Sequence, residues 1–368
     1  MKSNVASSNR KRYFIIYMKL LLPQKILILR LSSIGDILLA SPLLRVLRKA
    51  VGTKARLDFV VKKEYAELVQ FSHHISLVHE YDSATGFSGL RELKRTLHHE
   101  QYDLIVDIHD SVRTKYLRAF RKIPSVVIDK RKYERWQLVK LKRNVYKEII
   151  PIAGRYIEPL KEYGIENDEK GLEIFIPDEI QFSISGKMAK LKLHQYNRVV
   201  GICPGAKHFT KRWQIEKFAE AGSSLAKEHN VKIFIFGGKE DSQICTTIAH
   251  LISEKTSPLH VTNFAGEFSL LETAAAMEFC DVVLTNDTGL MHLAAAKQKR
   301  IVALFGSTVK EFGFAPYGTE ATVIENSALT CRPCSHIGKK ECPEKHFDCM
   351  KNISVDEVVS AVKNYLVK

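Results

Sequence analysis

Lys25-Ile-Leu-Ile-Leu-Arg-Leu-Ser-Ser-Ile-Gly-Asp36 decides the fold class. Apolar residues on both parities over Lys25–Leu31 read as a strand buried on both faces, as strands of parallel sheets are. The small and polar residues after it open a loop. Helical spacing follows over Ile37–Ala50, with Pro42 tolerated in its early part. Strands are expected again at Leu57–Val61, Tyr102–Asp107 and Val126–Ile128. The alternation then restarts, with strands at Val199–Cys203, Val231–Phe236, His260–Asn263, Val282–Thr285 and Ile301–Phe305. Helices are expected at Ile215–Glu228, Leu270–Phe279 and Gly289–Ala296. Strand–helix alternation gives parallel sheets with right-handed crossovers, here two α/β domains whose cleft is the default ligand site.

Asn167-Asp-Glu-Lys-Gly171 and the polar stretch Pro177–Gly186 put the domain junction near 178–195. The expected organisation is a basic extension (1–24), a first Rossmann-like domain (25–185), a second (190–350) and a C-terminal helix (351–368). Within the extension, Arg10-Lys-Arg12 and Phe14-Ile-Ile-Tyr-Met18 have some look of an export signal. Lys19 interrupts the apolar run and no small-x-small cleavage site follows, so a basic extension is expected, with Met1 or Met18 as the start. No run approaches the roughly 20 apolar residues of a spanning helix.

Fifty-six Lys and Arg against 41 Asp and Glu leave a net charge of +15. Such an excess points to a polyanionic partner, whether nucleic acid, an anionic membrane face or a phosphorylated substrate. The charge is densest over Arg113–Arg143, where Tyr116, Phe120, Tyr133 and Trp136 are interleaved. This segment is either an anion-facing surface or a solvated charged face.

Four post-strand loops carry chemistry. In Arg30-Leu-Ser-Ser-Ile-Gly-Asp36, Gly35 permits close approach and Asp36 is either a helix cap or a carboxylate held ionised by the helix N-terminus. In Cys203-Pro-Gly-Ala-Lys-His-Phe-Thr-Lys-Arg-Trp213, the small Gly205 and Ala206 sit beside the cations Lys207, Lys211 and Arg212. That set suits a departing diphosphate. In Thr285-Asn-Asp-Thr-Gly-Leu-Met-His292, the backbone at Thr288 and Gly289 opens a helix and forms a phosphate site. Asp287 can accept from sugar hydroxyls, and His292 lies about one turn beyond Thr288, either structural or on the ligand side. Gly237-Gly-Lys-Glu-Asp241 offers Glu240 or Asp241 to ribose hydroxyls, or forms a plain turn.

Together these loops resemble glycosyltransferase family 9, the ADP-heptose:lipopolysaccharide heptosyltransferases, over nearly all the chain from Met18. The resemblance implies a GT-B fold and an inverting transfer of heptose from ADP-L-glycero-D-manno-heptose to an anionic inner-core acceptor, with no metal and no cofactor. It implies Asp36 as general base and Lys211 as the group stabilising the leaving diphosphate. Gly205, Ala206, Lys207, Arg212, Asp287, Thr288, Gly289 and His292 fall to the donor, with Asp241 or Glu240 on its ribose. Ser33, Gly35 and Arg113 fall to the acceptor. Work at the cytoplasmic face of the inner membrane, as a peripheral protein without nucleic acid, is implied as well. The final helix, Val355–Leu366, would pack back on the first domain by the same analogy.

Cys331, Cys334, Cys342 and Cys349, with His336 and His346 nearby, admit a zinc site, but thiols are expected and the transfer chemistry does not need the cluster. Three other readings stay open: a nucleic-acid-binding protein, a sugar-nucleotide epimerase or hydrolase, and a family 9 enzyme for a different sugar. Within the family, the cysteine-rich tail and the Asn286-Asp-Thr-Gly289 loop resemble those of heptosyltransferase II-like enzymes.

Overall fold

The computed structural model describes residues 23–119 and 123–367. The chain forms two compact units: one runs to Lys130 and takes up Ala153–Glu169, the other comprises Arg131–Ile152 and everything from Lys170. Residues 1–22 of the basic extension, Met18 among them, and Phe120 lie outside the described residues. No described helix is long and apolar enough to cross a membrane.

The first unit holds five strands: β1 (Lys25–Leu29), β2 (Arg56–Lys62), β3 (Leu77–Tyr81), β4 (Leu104–Asp107) and β5 (Ser125–Val127). They are all parallel, in the order β3-β2-β1-β4-β5. Strand order therefore reverses between β1 and β4, and the crevice beyond their carboxyl ends is where such sheets bind ligands. Leu29 and Asp107 are in register there, which brings the chain after β1 beside the chain after β4. Leu27, Leu29, Val60, Leu93, Leu97, Ile105 and Leu117 form the core on one face. Each such side chain contributes about 1.5–3 kcal/mol by leaving water.

The second unit has six parallel strands: β6 (Arg198–Cys203), β7 (Val231–Ile235), β8 (Val261–Asn263), β9 (Val282–Asn286), β10 (Arg300–Phe305) and β11 (Ala321–Glu325). Their order, β11-β10-β9-β6-β7-β8, reverses between β6 and β9. Cys203 is in register with Thr285, so the loops opening at Pro204 and Asp287 are neighbours.

Four expectations need correction. The helix expected over Ile37–Ala50 is two, Ile34–Leu38 and Ser41–Val51. Pro42 has no N–H to give Leu38, whose carbonyl instead accepts from Ser41 Oγ at 2.7 Å. The polar stretch after Pro177, read as marking the domain junction, is the helix Asp178–Ala189, which buries Ile184 and Met188, four residues apart. The chain does not change unit once near 178–195, because residues 131–152 already belong to the second unit. Lys142 Nζ donates to the carbonyls of Cys331 (2.9 Å) and Pro333 (2.7 Å), and Ile152 N to that of Gly313 (2.9 Å). Finally, Val355–Leu366 packs on the second unit's own sheet, burying Val358, Val359, Val362 and Leu366 in its core. Arg198 and Arg300 of that sheet cap its last carbonyls, Leu366 O at 3.1 Å and Tyr365 O at 2.9 Å.

Candidate active site

In the first unit, Ser33 rather than Asp36 occupies the helix cap. Asp36 is the third residue of the helix and reaches back, its Oδ2 accepting from Ser33 N (3.1 Å) and Ser33 Oγ (2.8 Å). The other oxygen, Oδ1, meets Arg30 at 2.5 Å and Tyr156 Oη at 3.4 Å. Arg30 leaves the end of β1, buried, and its second nitrogen donates to Ile108 O at 2.7 Å. Burial alone would push the Asp36 carboxyl up. The Arg30 guanidinium and the Ser33 bonds more than offset it, and hold the carboxyl below the ordinary carboxylate range. The side chain keeps 18% of its surface exposed, so an ionised oxygen acceptor remains reachable.

The chain after β4 folds around Asp107, whose Oδ1 accepts from His109 N (2.9 Å) and Asp110 N (2.8 Å). His109 Nδ1 accepts from Leu31 N at 3.3 Å, which places the ring proton on Nε2. Burial, followed by Arg30 and Lys130, pushes this imidazole down to about 3. Ser33 is exposed and Gly35 buried beside Asp36, whereas Arg113 stands exposed on a different helix, Val112–Arg118. Reading the sequence alone missed Arg30, His109 and Tyr156. The signal for Arg30 was present: an arginine ending a buried strand requires an acidic partner nearby.

In the second unit the loops after β6 and β9 are joined by Asn286. Its Nδ2 donates to Pro204 O (2.7 Å), and its Oδ1 accepts from Trp213 N (3.2 Å). Lys211 Nζ lies 2.7 Å from Asp287 Oδ2, which also accepts from Thr308 Oγ1 at 2.6 Å. Asp287, expected to accept from sugar hydroxyls, thus holds the lysine through Oδ2. Arg212 Nε donates to Ala206 O at 2.6 Å, while Lys207 is exposed. Thr288 caps the helix Gly289–Ala296 in extended conformation. His292 is buried in that helix, edge-on to Phe314.

Asp241 and Glu240 part company. Asp241 is buried against Gly205, where an added Cβ would sit 2.1 Å from its Oδ2. Burial and the neighbouring Glu240 push its carboxyl up, against the pull of Arg212. Glu240 is exposed.

The cysteine-rich stretch serves as scaffold to this site. Arg332, buried, donates to the carbonyls of Gly306 (2.5 Å) and Thr308 (2.8 Å), and Lys339 N donates to Thr210 Oγ1 at 2.8 Å. Cys331 Sγ lies 3.8 Å from His346 Nε2, and burial pushes the Cys349 thiol up to about 12. Among the described residues, no three His, Cys, Asp or Glu side chains are arranged to hold a metal ion.

The sequence model of glycosyltransferase family 9 (heptosyltransferase) matches residues 90–346. Lipooligosaccharide heptosyltransferase 2 of Campylobacter jejuni is 32% identical over 229 residues, 59% of this chain and 70% of that one. A solved family 9 glycosyltransferase from Veillonella parvula superposes with a TM-score of 0.77 at 23% identity, covering 94% of this chain and 97% of that one. The structure of Escherichia coli ADP-heptose LPS heptosyltransferase II gives 0.69 at 22% identity, covering 93% and 98%. These two likenesses establish the GT-B class of α/β fold. With the family's sequence model spanning most of its length, this chain belongs to glycosyltransferase family 9, the heptosyltransferases.

Proposed function

We propose that the protein transfers heptose, with inversion and without a metal, from ADP-heptose to a hydroxyl of the lipopolysaccharide inner core at the cytoplasmic face of the membrane. The observation that carries the reading is the Asp36 carboxylate, kept ionised by Arg30 and Ser33 where strand order reverses. A carboxylate of lowered pKa is a weak base toward a free alcohol. It suffices here because the acceptor hydroxyl becomes strongly acidic as its oxygen bonds to the anomeric carbon. Proton transfer to Asp36 then accompanies bond formation.

On the donor side, Lys211 and the backbone N–H groups opening Gly289–Ala296 meet the negative charge that grows on the departing diphosphate. Asp287 and Thr308 fix the lysine for that task. Ala206, Lys207 and Arg212 complete a basic loop for the same diphosphate. Gly205 is left without a side chain so that Asp241 can lie under the loop. Exposed Glu240 takes the ribose hydroxyls in preference to buried Asp241. Ser33, Gly35 and Arg113 receive the acceptor, Arg113 its anionic groups.

Incubating the protein with a heptosylated, Kdo-containing core acceptor tests the reading. Mass spectrometry should show one added heptose with ADP-heptose, unchanged by a chelator, and none with UDP-N-acetylglucosamine. Donor consumed without a glycosylated product would refute it.

A further inference from the structure

Fourteen large hydrophobic side chains are exposed among the described residues, and five of them fall within 17 positions: Tyr133, Trp136, Leu141, Val145 and Ile149. Scattered singly, exposed apolar residues need no explanation, but a cluster does. The helix Lys132–Leu141 turns its one buried residue, Leu138, inward. At about 100° per residue, Lys132, Trp136, Lys140 and Tyr133 share an arc of about 100° on a different side. Two aromatic rings are thus displayed to solvent with a lysine on either side. Leu141 at the helix's end, and Val145 and Ile149 in the irregular stretch after it, are exposed as well, with Arg143 and Lys147 exposed between them.

The charge of the segment selects its occupant. Residues 131–149 contain seven Lys and Arg against two Glu. An apolar protein partner would not call for this excess, and a nucleic acid would not call for the aliphatic row. Interleaved aromatic, aliphatic and basic side chains match the boundary between lipid headgroup and acyl chain. We propose that residues 131–149 form a docking surface for an anionic bilayer, with Trp136, Tyr133 and Ile149 entering the interface and Lys140, Arg143 and Lys147 pairing with lipid phosphates. The proposal rests on the transferase reading only for its purpose, which is to bring the enzyme to a lipid-borne acceptor. Long-range attraction of cations to the leaflet and short-range burial of rings and branched chains act together, so either loss alone weakens binding.

The chain carries a reporter of its own. It has two tryptophans, and Trp213 is already buried, so a blue shift of emission on adding lipid reads Trp136. The test uses the full chain with vesicles of phosphatidylglycerol and phosphatidylethanolamine, against phosphatidylcholine alone. Wild type should co-sediment with the anionic vesicles, with a blue shift, and release as salt is raised. K140E/R143E/K147E and W136S/I149S should each bind at least about tenfold more weakly. Both should keep wild-type melting and wild-type turnover on a deacylated, water-soluble acceptor. Equal binding to neutral vesicles, undiminished binding by both variants, or binding only when the acceptor glycolipid is present would overturn the proposal. Failure of turnover in the wild type would strike the transferase reading, while vesicle binding would still decide the docking surface.

Discussion

Replacing Arg30 by methionine tests how Asp36 is kept ionised. The guanidinium sits 2.5 Å from a carboxylate only 18% exposed and is itself 9% exposed. Removing one partner of such a buried pair costs about 3–5 kcal/mol, a large part of the roughly 5–15 kcal/mol that holds a domain folded. The cost is pH-dependent. In the wild type the folded pKa of Asp36 lies below its unfolded value, so the pair stabilises above the ordinary carboxylate pKa and is lost as pH falls through the lower, folded one. In R30M, burial prevails and the folded pKa rises above the unfolded value. Asp36 then destabilises at neutral pH and is relieved by protonation on acidification. The stability gap between wild type and R30M is therefore widest near neutrality and closes below about pH 4. Thermal melts across pH, together with the acid limb of kcat/KM, read both effects. The limb should move to higher pH in R30M, with Arg30→Lys in between. A gap of the same size at every pH, or an acid limb that stays put in folded R30M, would refute the reasoning.

Three further outcomes are expected. Thr308→Val removes the 2.6 Å bond to Asp287 while keeping the shape. Loss of about 1.5–3 kcal/mol should lower kcat by roughly 10- to 150-fold with little change in donor affinity, and steady-state kinetics with an unchanged kcat would contradict the anchoring of Lys211. Gly205→Ala puts a Cβ 2.1 Å from Asp241 Oδ2 and should cost about 1–3 kcal/mol by thermal melting, partly restored by a second change, Asp241→Ala. His109, pushed down to about 3 by burial and neighbouring cations, should stay neutral between about pH 5 and 8. An NMR titration of its ring with a midpoint near 6.5 would contradict that environment.

Strands were legible because burial on both faces leaves a continuous apolar run. Val231–Ile235 and Val282–Asn286 sit within a residue of where the sequence places them. Leu77–Tyr81 and Ala321–Glu325 were not, since each is an edge strand whose exposed or half-buried polar residues interrupt the run. Asp178–Ala189 escaped notice because it buries little more than Ile184 and Met188, leaving no stripe to detect. At the candidate site, Asp36, Lys211 and Asp287 could be singled out from their loops as candidates, but the contacts that hold Lys211 and Asp287 could not. Thr308, Asp287 and Lys211 follow three different strands and are joined only because those strands meet in space. Spacing along one chain carries no record of such pairing. Tyr156, 120 residues beyond Asp36, is the extreme case.

The central claim, that Asp36 is the base of an acceptor-dependent transfer, is met most directly by measuring ADP release from ADP-heptose by wild type and D36N, each with and without the core acceptor, alongside ADP-heptose affinity. The account predicts release that requires acceptor in the wild type and falls by about a hundredfold or more in D36N, at unchanged donor affinity. D36N releasing ADP within a few-fold of wild type would contradict it.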